Sequence, residues 1–225
     1  MAEKAEKKSG SSKLSAFLEK NRKGVLITFI AVVIIVAAFV CVELIKSSTS
    51  KKDLAAIEGY YYDLLEVPVD TEDSEINKLA TVCIENLAAY TKKGGIAGVR
   101  ANILSAELAY ILGDYEAVVK YYDAAIAKGK KSYTAPLCMY NKAVSLEELN
   151  RLDEAAQAYK EAAEFPGFGM ASHAYFSYAR VLETKGDISA AAEVYKTMND
   201  KFTDDEWANV AKTRLIELKS QGKIE

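Results

Sequence analysis

Histidine occurs once in this 225-residue sequence, as His173, and cysteine three times, as Cys41, Cys83 and Cys138, far apart in the chain. A single imidazole excludes the paired-histidine metal sites, and no CxxC, HExxH, GxSxG or GxxxxGK pattern supplies a redox centre, a zinc protease, a nucleophile elbow or a phosphate loop. The glycines of "KKGGIAG", Lys92 to Gly98, precede a helical stretch without a strand before them, so they read as a linker rather than a phosphate cradle. Adjacent acids such as Glu147 with Glu148, or Asp204 with Asp205, point about 100° apart on a helix and do not form a catalytic carboxylate pair. No catalytic residue, metal site or cofactor is expected. Cys83 and Cys138 fall on helices among apolar neighbours and read as buried thiols; a disulfide between them is left open.

Positive charge is also scarce over most of the chain. Beyond residue 46 there are 21 Lys or Arg against 28 Asp or Glu, an acidic balance that disfavours nucleic acid as a partner.

The first fifty residues have a different character. Val25 to Val42 is an uncharged run of 18 residues, apolar but for Thr28, about 27 Å long as a helix and close to the hydrocarbon thickness of a bilayer. No polar face is available for a soluble environment, and a transmembrane helix is expected over 25–45. Lys7, Lys8, Lys13, Lys20, Arg22 and Lys23 precede it, whereas only Lys46, Lys51 and Lys52 follow closely. By the charge rule the basic tail of residues 1–24 stays cytoplasmic and the remainder lies outside, in a bacterium in the periplasm. The run continues past "VAA", Val36 to Ala38, without a polar break, and Cys41 follows Val40 rather than a small residue. An uncleaved anchor in the plasma membrane is therefore expected, followed by a polar tether over 46–52.

The rest of the chain is periodic. "YILGDYEAVVKYYDAAI" (Tyr110 to Ile126) returns in altered form as "SLEELNRLDEAAQAYKEAA" and "RVLETKGDISAAAEVYKTM". The turn residue moves from Gly113 to Asn150 to Gly186, steps of 37 and 36 residues. Tyr122, Tyr159 and Tyr195 follow each turn by nine residues, and Ala106, Ala143 and Ala179 precede each by seven. Small residues allow close helix approach, and an aromatic fills the space between successive hairpins. A period in the thirties with a helix on each side of a short turn is the signature of stacked helical hairpins.

With those residues in register, the sequence resembles the tetratricopeptide repeat (TPR) superfamily. The resemblance implies an all-α fold, a solenoid of helical hairpins in a right-handed superhelix, preceded here by the single membrane helix. Three repeats are expected over 98–202, degenerate N-terminal helices over 53–97, and a capping helix and tail over 203–225, with Thr203 and Glu206 as a capping box. In this family ligand contacts come from the first helix of each hairpin. Carried over, they are Arg100, Ile103, Glu107 and Tyr110; Leu137, Tyr140, Asn141 and Val144; and His173, Phe176, Ser177 and Arg180. The peptide-binding groove is expected to use Arg100, Tyr110, Tyr140, Asn141, His173, Phe176 and Arg180, with Arg100, Tyr140, Phe176 and Arg180 in one continuous strip. Arg100, Asn141 and Arg180 match part of the family's clamp for a terminal carboxylate.

A cytoplasmic tail, one membrane helix and an acidic TPR domain outside together resemble YfgM-like ancillary subunits of the Sec translocon. The implied role is a membrane-anchored scaffold for protein–protein interaction, with Sec translocon subunits, exported clients and periplasmic chaperones as partners. An envelope-assembly adaptor of the outer-membrane biogenesis or Tol-Pal type is the second reading. An enzyme using His173 and Glu107 in the groove is the third.

Overall fold

The computed structural model describes residues 20–68 and 70–225, and all regular structure in them is α-helical. Most of the basic tail, including Lys7, Lys8 and Lys13, lies outside the described residues. Contacts divide the chain into two units, residues 1–51 and 52–225.

Helix α1 runs Arg22–Leu65 and carries the apolar run. Val32, Ile34, Ile35 and Phe39 are half or more exposed on successive faces, so among the described residues the segment shows no buried stripe within its unit. Ala31–Tyr62 includes an 18-residue window of mean hydropathy 2.2, long and apolar enough to cross a membrane, a property that signal sequences share. Residues 46–52, expected as a tether, are helical. Lys, Ser and Thr there lower helix propensity only modestly, and no glycine or proline occurs before Gly59 to end the helix. It stops at Leu65, three residues ahead of Pro68.

Among its described residues the second unit contains the end of α1 and eight further helices: α2 (Asp73–Thr91), α3 (Gly95–Ile111), α4 (Tyr115–Lys128), α5 (Ala135–Glu148), α6 (Leu152–Ala163), α7 (Ala171–Thr184), α8 (Ile188–Lys201) and α9 (Glu206–Ser220). The pairs α3/α4, α5/α6 and α7/α8 are the three expected hairpins, and α9 packs on α7 and α8. The first hairpin begins at Gly95, inside the stretch read as a linker. Gly98 is required there by packing, because a Cβ at that position would overlap the Lys93 carbonyl oxygen. Asn102 then ties this entry down, its side-chain amide donating to the carbonyls of Thr91 at 2.9 Å and Gly98 at 2.7 Å.

Each hairpin turns by the same device. Gly113, Asn150 and Gly186 have φ of 71°, 55° and 88°. In each case the next amide reaches back five residues: Asp114 to Ala109 (3.0 Å), Arg151 to Leu146 (2.8 Å) and Asp187 to Leu182 (2.9 Å). This left-handed termination satisfies carbonyls that the helix end leaves free, and asparagine tolerates it better than other side chains do. The cadence continues once more. Gly222, 36 residues after Gly186, has φ 67°, and Lys223 donates to Leu218 at 3.0 Å. Helix α9 thus ends as the first helix of a further hairpin would. Its start departs from the expected capping box: Asp204 adopts φ 65°, and Asp205 caps the helix by accepting from the amides of Trp207 and Ala208.

The core follows the register. Ala106, Ala143 and Ala179 are fully buried, and Tyr122, Tyr159 and Tyr195 are at most 4% exposed. At the N-terminal end Ile57 of α1 is buried with Ala80, Cys83 and Leu87 of α2 and Ala101, Leu104 and Leu108 of α3. Cys83 and Cys138 are both buried and do not form a disulfide; the Cys83 thiol donates to the Tyr60 carbonyl at 3.4 Å.

Candidate binding groove

The first helices of the hairpins, α3, α5 and α7, present the expected contact positions, but not as one strip. They divide along α5. Arg100, Ile103, Glu107, Leu137 and Asn141 line a cavity of about 570 Å³ together with Leu54 and Glu58 of α1 and Tyr122 of α4. Tyr140, Val144, His173, Phe176, Ser177 and Arg180 line a second, of about 390 Å³, with Glu147, Tyr159 and Trp207. Leu137 and Asn141 lie one turn apart, and Tyr140 and Val144 form the neighbouring row, so one helix serves both cavities. Tyr110 belongs to neither; its ring meets Tyr115 edge-on at 5.4 Å.

The second cavity is aromatic and internally bonded. Tyr140 packs edge-on against Tyr159 at 5.1 Å, and its hydroxyl lies 3.1 Å from His173 Nε2. His173 stacks on Trp207 with centroids 3.9 Å apart and planes 11° from parallel, and Phe176 touches Trp207 at 5.2 Å. Burial, and then the positive charge of Arg180, hold the imidazole below its ordinary pKa, so the fold favours its neutral form. Sequence spacing places Trp207 in a helix of the same register beyond the three repeats, but it does not show that its ring stacks on His173.

Both arginines of the expected carboxylate clamp are already committed. Arg100 donates from Nε and Nη2 to the two oxygens of Glu58 at 2.6 and 2.9 Å. Arg180 makes the same forked contact with Glu147, at 2.7 and 2.6 Å. Asn141 donates to the Tyr122 hydroxyl at 3.3 Å. These three side chains therefore organise the groove instead of converging on an empty anion site.

The Glu147 contact belongs to a repeated staple. The Tyr159 hydroxyl donates to Glu147 at 2.8 Å while Arg180 clasps the same carboxylate from the next hairpin. One repeat later Tyr195 donates to Glu183 at 2.7 Å, and Arg214 of α9 clasps that carboxylate at 2.6 Å. Burial raises the Glu183 pKa, but the hydrogen bonds from Arg214 and Tyr195 outweigh it and hold the group below its usual range. Each glutamate stands three residues before its turn, a spacing visible in the sequence. At the first turn that position is Tyr110, and among the described residues the Tyr122 hydroxyl has Asn141 as its hydrogen-bond partner in place of a carboxylate.

Residues 103–169 match the tetratricopeptide repeat family. That segment carries tetratricopeptide repeats. A TPR repeat-containing protein of Treponema pallidum (strain Nichols) is 26% identical over 139 residues, which cover 62% of this chain; the chain thus spans 58% of that relative's length. Among solved structures, the TPR-like repeats of a putative kinesin light chain from Podosopora anserina superpose with a TM-score of 0.56 at 11% identity, over 77% of this chain and 88% of that one. The apo form of RapI superposes with a TM-score of 0.50 at 16% identity, over 77% and 70% of the two chains. These similarities establish the TPR fold, and TPR arrays serve as scaffolds for protein–protein interaction.

Proposed function

We propose that this TPR chain is held in the plasma membrane by residues 25–45 and offers its groove outside the cytoplasm to segments of protein partners, at the Sec translocon with exported clients or chaperones. The observation supporting a peptide-type partner is the second cavity. Tyr140, His173, Phe176 and Trp207 provide ring faces and edges there, and aromatic anchors of this kind dominate protein interfaces. The apolar part of α1, exposed on successive faces, and the excess of Lys and Arg ahead of it support the anchor and its orientation.

Two measurements test the reading. Protease added to intact spheroplasts is expected to digest the TPR domain; complete protection alongside digested controls would reverse the orientation. A photo-crosslinking residue at Glu148, exposed at the rim of the aromatic cavity, is expected to capture translocon subunits in intact membranes. The same residue at Gln157, exposed on α6, is expected to capture none. Recovery of outer-membrane assembly factors at Glu148 would instead support an envelope-assembly adaptor. Capture from Gln157 alone would place the partner away from the groove.

A further inference from the structure

The larger cavity holds one carboxylate that the fold leaves without a partner. Glu107 is half-buried on α3, with Arg100, Ile103, Leu137 and Asn141 around the same space. Among the described residues no hydrogen bond or ion pair reaches it, in contrast to Glu58, Glu147 and Glu183, which each receive a forked arginine. Arg100 is a cation that acts on it, but its Nε and Nη2 are engaged with Glu58. Lys128 also lines the cavity, yet it packs beside Gly98, nine residues up α3 and therefore about 13 Å away along the helix. Cys138 and Tyr122 complete the surroundings and add no positive charge. Burial accordingly pushes the Glu107 carboxyl above its ordinary range, an effect that Arg100 opposes only in part.

We propose that Glu107 receives the cationic side chain of a lysine or arginine from a protein segment lying in the groove, with Ile103 and Leu137 packing against the apolar stem of that side chain. This rests on the groove reading above and names the chemistry of its partner. A half-buried carboxylate without a donor is costly, and a charge-assisted hydrogen bond from an entering cation removes that cost. The long aliphatic stems of lysine and arginine suit a site with apolar walls and one charged end. The excess of acidic residues beyond residue 46 favours the same sign of partner.

The full chain in detergent micelles, carrying 13C-labelled glutamate side chains, tests this by titration with three blocked heptapeptides. They share an alternating Leu/Ala frame and differ at the centre: lysine, norleucine or glutamate. The lysine peptide is expected to shift the Glu107 carboxyl signal, assigned by its loss in Glu107→Gln, and to move its titration midpoint down toward the ordinary carboxylate range. Norleucine and glutamate peptides are expected to bind at least about 10-fold more weakly, and Glu107→Gln is expected to bind lysine and norleucine peptides alike. Equal binding of lysine and norleucine peptides to the wild type, or a lysine preference surviving in Glu107→Gln, overturns the proposal. So does an equal shift from butylammonium chloride at the same concentration, which would indicate a pocket for free amines. If peptides move the His173 ring signals but not Glu107, the cation site falls and the groove reading stands. If neither responds to any peptide, both fall.

Discussion

Tyr159 and Tyr195 are each about 1% exposed, yet each keeps its hydroxyl on a carboxylate that an arginine of the next hairpin or of α9 also holds. Tyr195→Phe is expected to lower stability by about 1.5 kcal/mol, since it removes a hydrogen bond to a charged acceptor. Tyr122→Phe, which loses only the 3.3 Å contact from Asn141, is expected to cost about 0.5 kcal/mol. Urea unfolding midpoints of the two variants check the order as well as the sizes. His173 carries a pH dependence of definite sign. Its folded pKa lies below the unfolded value, so its contribution is present above about pH 6.5 and is lost as pH falls through the lower folded pKa. Unfolding midpoints taken in steps from pH 7.5 to 5 are expected to drop more for the wild type than for His173→Gln. The tyrosines were legible in the sequence because they recur at a fixed distance from each turn. The stack of His173 on Trp207 was not, because spacing places each ring on its helix without showing that the two rings stack.

Among the helices, positions tied to the turns were readable and helix ends set by local capping were not. Ala143 is fully buried at the close approach its register implied, and Ala143→Leu is expected to overpack that contact by about 1 to 3 kcal/mol. An unchanged unfolding midpoint would disprove the register. Asn150 fills a glycine position with φ 55°. Asn150→Gly is therefore expected to be nearly neutral, whereas Asn150→Ala is expected to cost about 1 kcal/mol, measured the same way. The start of α9 was misplaced because Thr203 offers a capping pattern that Asp205 supplies two residues later, after the left-handed Asp204. The 46–52 segment looked like a tether from its polar composition, but polarity does not end a helix when no glycine or proline intervenes. The single groove strip divided for a related reason. Sequence spacing shows which helix face a residue occupies, but not that neighbouring rows on α5 open into different cavities.

At the level of the whole solenoid, each hairpin gains stability chiefly from its neighbours. The tyrosine–glutamate–arginine staple joins the second hairpin to the third and the third to α9, while the junction of the first with the second lacks it. Surface pairs such as Lys142 with Asp123 at 2.7 Å do cross that junction, but exposed ion pairs contribute little. The missing staple consequently gives the array a gradient of compliance. Amide hydrogen exchange is expected to be faster in α3 and α4 than in α7 and α8, because local opening samples the weaker junction first. Uniform protection along the array would show that the staples carry no such weight. Since the cavity around Glu107 spans this soft junction, with α3 and α4 on one side and α5 on the other, an occupant there would slow exchange in both hairpins together. Partner binding would then register as a stiffening of the array's yielding end, with no rearrangement of the helices required.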